Sequence, residues 1–134
     1  CAVLFGNEAE ARALAISCEL PDAATIEMVD LVPLLARLGT VNDERRTVVI
    51  TQGADCTVFF DPSLNKVVTV EVPKMKQQDI IDTNGAGDAF VGGFLAAHLA
   101  GKDVASSVVV GHAVAQVVIT QSGVVFPDHL KPQF

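Results

Sequence analysis

Charged residues are scarce in this sequence, and clusters of basic residues are absent from it. Only 19% of the 134 residues are charged, and 9 lysines and arginines stand against 16 aspartates and glutamates, for a net charge of −7. Nucleic acids and anionic membrane surfaces are bound through clustered positive charge, so this composition argues against both as partners. Half of the residues are hydrophobic, which excludes extensive disorder and predicts one domain over residues 1–134 with a sizeable core.

Cysteines and long apolar runs are also few. The 3 cysteines form no Cys-x-x-Cys pair and are too few for the disulfide framework of a small secreted domain. This favours a cytoplasmic setting, with the nucleus as an additional compartment. Residues 104–120 form the longest apolar stretch, but serines, a histidine and a glutamine interrupt it, so no membrane span is predicted.

Hydrophobic periodicity and capping signals predict an α/β chain with an antiparallel portion in the middle. The β-branched run from Thr47 to Thr51 is typical of a strand buried on both faces of a parallel sheet. The two strands that follow it predict a β-meander. The expected elements are a strand around 3–5, helices over 8–19 and 23–38, strands over 47–51, 56–60 and 66–72, helices over 86–99 and 104–121, and an extended tail over 123–127.

The glycine-rich segment at residues 82–88 contains the residues that indicate an anion site and a general base. Gly85 and Gly87 are expected to adopt positive φ and to let the backbone approach a ligand, and the helix that follows leaves its first amides free for an anion such as phosphate. Asp88 would repel that anion unless it acts as a general base on a hydroxyl nucleophile. A tight turn with an acidic helix start is the alternative, and spacing alone leaves the two equal. A dinucleotide fingerprint or a P-loop would need residues that are absent here.

The run from residue 82 to 94, DTNGAGDAFVGGF, resembles the C-terminal signature of the ribokinase-like (PfkB) kinases. Residues 4–11 resemble the family's Asn-x-x-Glu segment and residues 51–53 its nucleotide-strand turn. The signature has an asparagine at position 84. This asparagine and residues 123–127 are similar to the corresponding residues of the family members that phosphorylate adenosine. The resemblance spans nearly the whole chain. It implies the C-terminal part of a three-layer αβα sandwich, with a mixed, mostly parallel sheet and a β-meander.

This resemblance also implies an activity. Members of the family use ATP and Mg²⁺ to phosphorylate a hydroxyl, and the adenosine-phosphorylating members act on the 5′-hydroxyl of adenosine and give AMP in purine salvage. The alternatives are a sugar kinase of the same superfamily and a non-catalytic nucleotide-binding module. In this family, the residues that bind the substrate and the lid belong to an N-terminal half that this chain lacks. The chain is therefore expected to be a C-terminal piece, inactive alone, whose partners are a nucleoside and that missing half.

Position by position, the resemblance assigns catalytic roles to the glycine-rich turn. Asp88 matches the catalytic base, and Gly85, Ala86 and Gly87 match the backbone anion hole. Asn84 matches a residue of the nucleotide site. Asp82 and Thr83 match a region that supports a monovalent cation in several relatives, although Asp82 could equally cap a loop.

The remaining matches lie outside that turn. Thr51, Gly53 and His112 match nucleotide-binding positions, with a strand cap, a hairpin glycine and a core histidine as the respective alternatives. Asn7 and Glu10 match the pair that arranges Mg²⁺ and phosphate, through water in keeping with the hydration of that ion. From the residues alone, a helix cap at Asn7 and a helix-dipole partner at Glu10 are the preferred interpretations.

Overall fold

Eight helices and strands are defined in a computed structural model that describes residues 3–42, 44–53, 55–74 and 85–120. They divide between two compact units, Cys1–Val72 and Pro73–Phe134, each of which is described by itself. The elements are β1 (Val3–Asn7), α1 (Glu8–Ser17), α2 (Met28–Arg37), β2 (Thr47–Thr51), β3 (Cys56–Asp61), β4 (Lys66–Glu71), α3 (Ala86–Leu99) and α4 (Val104–Ile119). The predicted order of elements is confirmed, and the predicted tail over 123–127 lies outside the described residues.

The first unit contains a four-stranded sheet in the order β1-β2-β3-β4. β1 pairs with β2 in parallel, whereas β2 with β3 and β3 with β4 are antiparallel. The mixed sheet and the meander are confirmed. The predicted predominance of parallel pairs is not seen in this part, because the connections from β2 to β3 and from β3 to β4 are turns, too short for the crossover that parallel neighbours need.

The strand β2 lies at the centre of the core. Val48, Val49 and Ile50 are at most 1% exposed, which confirms the prediction that this strand is covered on both faces. Helix α2 packs on β2 and β3, and α1 packs on β1. Because the buried side chains of both helices join Val48, Ile50 and Phe60 in one apolar cluster, the two helices cover one face of the sheet.

Four predicted helix boundaries differ from the structure, and two of them are the ends of α2 and α4, at Arg37 and Ile119 instead of residues 38 and 121. Helix α1 ends at Ser17 instead of Glu19, because Glu19 adopts a left-handed φ of 56°. The second helix begins at Met28 instead of residue 23. Asp22 has φ 55° and its carbonyl accepts bonds from Thr25 and Ile26, so this stretch forms turns before the helix starts.

The described part of the second unit is a pair of packed helices. Helix α3 has the predicted limits, and Gly101 follows its end at φ 93°. Asp103 caps α4 by accepting a bond from the Ser106 N–H at 2.7 Å. Across residues 3–42, 44–53, 55–74 and 85–120, no helix has the length and apolar character that a membrane crossing requires.

Candidate functional site

The parallel strands β1 and β2 end side by side. Asn7, the last residue of β1, is paired in register with Thr51, the last residue of β2. Gly53 lies two residues further on, at φ 63°, in the turn that leads to β3. In α/β sheets, ligands bind beyond the carboxyl ends of the parallel strands. The structure thus brings Asn7, Thr51 and Gly53, which sequence reasoning selected separately, to one edge of the first unit.

Helix α1 begins at this edge with a capping box. The Asn7 Oδ1 accepts the Glu10 N–H at 2.8 Å, and the Glu10 Oε2 accepts the Asn7 N–H at the same distance. The helix-cap interpretation of Asn7 is confirmed, and Glu10 reciprocates the cap, which is a more specific contact than the predicted interaction with the helix dipole. The reciprocal bond uses one carboxylate oxygen of Glu10, so the other can accept a bond from water.

Sequence reasoning missed a polar network at the same edge. The Gln52 side-chain amide donates to Glu8 Oε2 at 3.2 Å, and the Arg12 Nη2 donates to Glu8 Oε1 at 3.1 Å. The bond from Gln52, followed by the bond from Arg12, lowers the pKa of the Glu8 carboxyl. One feature of the sequence could have predicted the contact between Glu8 and Arg12: the two residues are four positions apart, which is the spacing of an ion pair on a helix.

Cys56 extends this network toward β3. Its thiol donates to Gln52 Oε1 at 3.0 Å. Burial, and then the charges of Asp55, Glu71 and Glu8, raise the pKa of this thiol, so it remains protonated and a donor at neutral pH. Cys18, which is exposed, and Cys56 are free thiols.

The start of α3 has the geometry expected of an anion site. Gly85 is the N-cap at φ 78° and ψ 0°, and its carbonyl accepts the first helical bond, from the Ala89 N–H at 2.9 Å. The N–H groups of Ala86, Gly87 and Asp88 precede that bond, and glycine has no side chain with which to cap them. Backbone donors at a helix start, together with the helix dipole, can bind a phosphate.

Asp88 and Gly87 lie in the first turn of α3, and both are exposed. Gly87 has helical backbone, so the prediction of positive φ is correct for Gly85 and wrong for Gly87. Apart from its chain neighbours and the backbone of its own helix, no described atom lies within 4 Å of the point where a Cβ on Gly87 would stand. The exposed carboxylate and the open backbone leave room for a ligand at this helix start.

His112 lies in the contact between α3 and α4. It is 5% exposed, its ring centroid lies 5.4 Å from that of Phe90, and burial lowers the pKa of its imidazole. The imidazole is therefore neutral at pH 7. This burial supports the core interpretation and leaves the nucleotide-site role of His112 a prediction.

The candidate residues belong to different units. Asn7, Glu10, Thr51 and Gly53 are in the first unit, whereas the α3 start and His112 are in the second. The predicted roles of Asp82, Thr83 and Asn84 fall outside the described residues. Within the described ranges, no group of three or more histidine, cysteine, aspartate or glutamate side chains is arranged to hold a metal ion.

Comparison with known proteins identifies the family. Residues 1–130 match the pfkB family of carbohydrate kinases, and the chain belongs to that family. The α/β class and the ribokinase-like fold predicted from the sequence are thereby confirmed.

Several proteins that are similar to this chain are adenosine kinases. Adenosine kinase 1 of Arabidopsis thaliana is 41% identical over 134 residues, which are 98% of this chain and 36% of the relative. The crystal structure of Anopheles gambiae adenosine kinase, in complex with di(adenosine-5) tetraphosphate, has a TM-score of 0.79 and 37% identity over 91% of this chain and 35% of that one. Schistosoma mansoni adenosine kinase with adenosine and AMP has a TM-score of 0.73 and 31% identity, over 91% of this chain and 34% of that one.

These relatives are much longer than the region that matches. The chain spans about a third of the length of the adenosine kinases to which it is similar.

Proposed function

We propose that this chain is the nucleotide-binding, C-terminal part of a kinase that transfers the γ-phosphoryl group of ATP to the 5′-hydroxyl of adenosine and gives AMP, a reaction of purine salvage. The start of α3, with its glycine cap, its amides that no described side chain caps and its exposed Asp88, is the observation that carries the proposal. A sugar kinase of the same family is not favoured, because the relatives at 37 to 41% identity are adenosine kinases. A module without catalysis would not need the Asp88 carboxylate at an anion site.

Asp88 and the neighbouring amides divide the chemistry between them. Asp88 accepts the proton of the attacking hydroxyl, which makes the oxygen a better nucleophile. The N–H groups of Gly85, Ala86 and Gly87 stabilise the negative charge that develops on the transferred phosphoryl group. The carboxylate and the anion are compatible because the carboxylate faces the hydroxyl and the amides face the phosphate.

Four residues are assigned to the nucleotide position by position, as the family resemblance implies. Thr51 and Gly53 lie at the carboxyl edge of the sheet, and no described atom other than its chain neighbours lies within 4 Å of the Cβ position of Gly53. We assign the neutral imidazole of His112 to the adenine pocket and Asn84 to the nucleotide site. Asn84 lies outside the described residues, so its role rests on the motif alone.

Asn7 and Glu10 fit a magnesium ion that is bound through water. Mg²⁺ keeps several waters and takes only one or two protein carboxylates beside the substrate phosphates. Glu10 offers one carboxylate oxygen beyond its bond to Asn7, which suits a water-mediated contact. When bound, the ion neutralises charge on the phosphates. Asp82 and Thr83 are assigned to a monovalent cation site, again from the motif alone.

We also propose that residues 1–134 act within a larger chain. The remaining two-thirds of the length of the relatives would supply the nucleoside-gripping residues and the lid, and adenosine is the partner that binds there. The acidic charge of the chain disfavours nucleic acid and anionic membranes as partners. A cytoplasmic setting, with the nucleus as an additional compartment, accords with an enzyme that acts on dissolved nucleosides.

Replacement of the carboxylate tests the proposal. In the complete protein, Asp88→Asn should lower kcat for adenosine phosphorylation by about 10²- to 10⁴-fold, because it removes the base and keeps the shape. The control is Asp30→Asn, since Asp30 is also an exposed aspartate in the first turn of a helix. Near wild-type kcat in Asp88→Asn would contradict the assignment, and a wild type that prefers ribose to adenosine would favour the sugar kinase.

A further inference from the structure

A side-chain hydrogen bond joins the start of α1 to the turn that follows β2. Because Asn7 and Thr51 are paired in register, the next residues, Glu8 and Gln52, leave the sheet side by side. The Gln52 Nε2 donates to the Glu8 Oε2 at 3.2 Å, although the two residues are 44 positions apart in the sequence. This bond connects the helix start that bears Asn7 and Glu10 with the turn that bears Gly53.

The Glu8 carboxylate is held in place from the opposite side. Arg12 donates to Glu8 Oε1 from Nη2 at 3.1 Å and from Nε at 3.3 Å. Its Nη1 donates to the carbonyl of Ile26 at 2.9 Å, which ties the guanidinium to the loop before α2. Both Arg12 donors bond the same oxygen, Oε1, which leaves Oε2 of the Glu8 carboxylate to accept the bond from Gln52.

Gln52 is held by a backbone and a side-chain hydrogen bond, both to Cys56. Its backbone N–H donates to the carbonyl of Cys56 at 2.9 Å, and its side-chain oxygen accepts the Cys56 thiol at 3.0 Å. The side-chain amide is thereby oriented with its oxygen toward β3 and its nitrogen toward Glu8. Both partners of the bond are preorganised, so the distance between the helix and the turn is defined by the bond between them.

We propose that Glu8 and Gln52 are positioning residues for the nucleotide: their bond sets the spacing between the turn at Gly53 and the start of α1 at Asn7 and Glu10. The inference rests on the proposed function, in which the turn contacts the nucleotide and the helix start arranges the magnesium ion. Neither side chain needs to touch ATP. When the bond is lost, the turn shifts relative to the helix, and MgATP binds less tightly.

The test replaces Gln52 in the complete protein. Gln52→Leu keeps the approximate size and removes both side-chain bonds, and it should raise the Kd of MgATP and the KM for ATP by about 3- to 10-fold, the scale of one charge-assisted hydrogen bond at a partly exposed site. The kcat and the KM for adenosine should not change. Gln52→Glu should have a similar or larger effect, because it faces the Glu8 carboxylate with a second one.

An exchange of the two side chains distinguishes a positioning role of Glu8 and Gln52 from a general loss of structure. Glu8→Gln combined with Gln52→Glu restores a carboxylate–amide pair with its direction reversed, so the KM for ATP should return toward the wild-type value. The matched control is Glu44→Gln, since Glu44 is an exposed glutamate in the loop before β2, at the other end of that strand. This control should leave every parameter unchanged.

The outcomes distinguish the two proposals. A wild-type protein that neither binds MgATP nor phosphorylates adenosine contradicts the proposed function and the positioning role together. An active wild type with an unchanged KM for ATP in Gln52→Leu contradicts the positioning role alone. A lowered melting temperature in Gln52→Leu without a change in the KM for ATP, or an exchange variant no better than Gln52→Glu, also contradicts it.

Discussion

At the start of α1, one carboxylate closes a helix cap and is also the proposed contact to magnesium. Glu10 accepts the Asn7 N–H at 2.8 Å, and a glutamine at this position retains an oxygen that can accept the same bond. We therefore expect Glu10→Gln to keep the melting temperature of the complete protein while it raises the Mg²⁺ concentration needed for half-maximal activity, since the negative charge is lost. Thermal unfolding and a magnesium titration of the phosphotransfer rate measure the two effects.

The companion variant Glu10→Ala removes both the cap and the charge. It should show the same magnesium effect and, in addition, lose about 0.5 to 1 kcal/mol of stability, the low end of the range for a lost cap. If Glu10→Gln has the magnesium dependence of the wild type, Glu10 is a cap and nothing more.

The sequence predicted the conformation and contacts of some residues correctly and those of others not. The cap at Asn7 follows from local rules, because an asparagine before an acidic first turn is a frequent helix start. The backbone of Gly87 was predicted wrongly, since a glycine permits positive φ and does not require it. The Gln52 contact of Glu8 depends on the register of β1 against β2, which no local pattern specifies.

At the level of elements, two glycines determine how closely α3 and α4 approach. A Cβ on Gly111 would stand 2.7 Å from the Phe90 ring and 2.9 Å from the Phe90 carbonyl oxygen. A Cβ on Gly93 would stand 2.9 Å from a Val114 methyl group and 3.2 Å from the Cα of Gly111. Because backbone atoms are among these neighbours, the helices must move apart to admit a methyl group.

A pair of glycine-to-alanine variants tests this contact. Gly111→Ala should destabilise the complete protein by up to about 2 kcal/mol, because an overpacking cost of about 1 to 3 kcal/mol is offset by a helix-propensity gain of about 1 kcal/mol. Gly92→Ala is the matched control, since no described atom other than its chain neighbours and the backbone of α3 lies within 4 Å of its Cβ position. It should be neutral or slightly stabilising in denaturant unfolding. Equal effects of the two variants would contradict the close contact.

The elements themselves were largely predictable. Helix α3 begins and ends where its flanking glycines indicate, and β2 was evident from its unbroken β-branched run. The start of α2 was missed because a proline and an aspartate suit a helix start as well as they suit a turn. The tight glycine contact between α3 and α4 could not be read from the sequence, because a glycine inside a helix does not reveal which neighbour comes close.

For the whole molecule, net charge and local charge have different consequences. The net charge of −7 opposes anionic partners at long range. The amides at the start of α3 act only at contact distance, so a phosphate is compatible with an acidic chain where an extended nucleic-acid backbone is not. Composition could therefore exclude a partner class, whereas the assignment of a phosphate site required the particular turn at Gly85 and the family resemblance.

The exposure of large apolar side chains bears on the proposal that residues 1–134 act within a larger chain. Several large apolar side chains are more than half exposed, namely Ile16, Val41, Leu64, Leu99 and Val109, and Leu99 reaches 84%. Where exposed apolar side chains form a contiguous patch, the patch associates with other surfaces when it is not covered. We therefore expect residues 1–134, produced alone, to self-associate with rising concentration, to bind a hydrophobic dye and to phosphorylate no adenosine. Light scattering after gel filtration, dye fluorescence and a phosphotransfer assay measure these properties.

The complete protein is the reference for this last prediction. It should remain of one size over the same concentrations and bind less dye per mole of these residues, because the rest of the chain covers the apolar side chains. Leu99→Gln in the shorter chain supplies a second comparison, since it removes the most exposed of them and should reduce the association. Residues 1–134 that stay monomeric and phosphorylate adenosine unaided would show that the nucleoside site is complete within them, and the roles assigned to a missing half would then have to be sought among the residues of this chain.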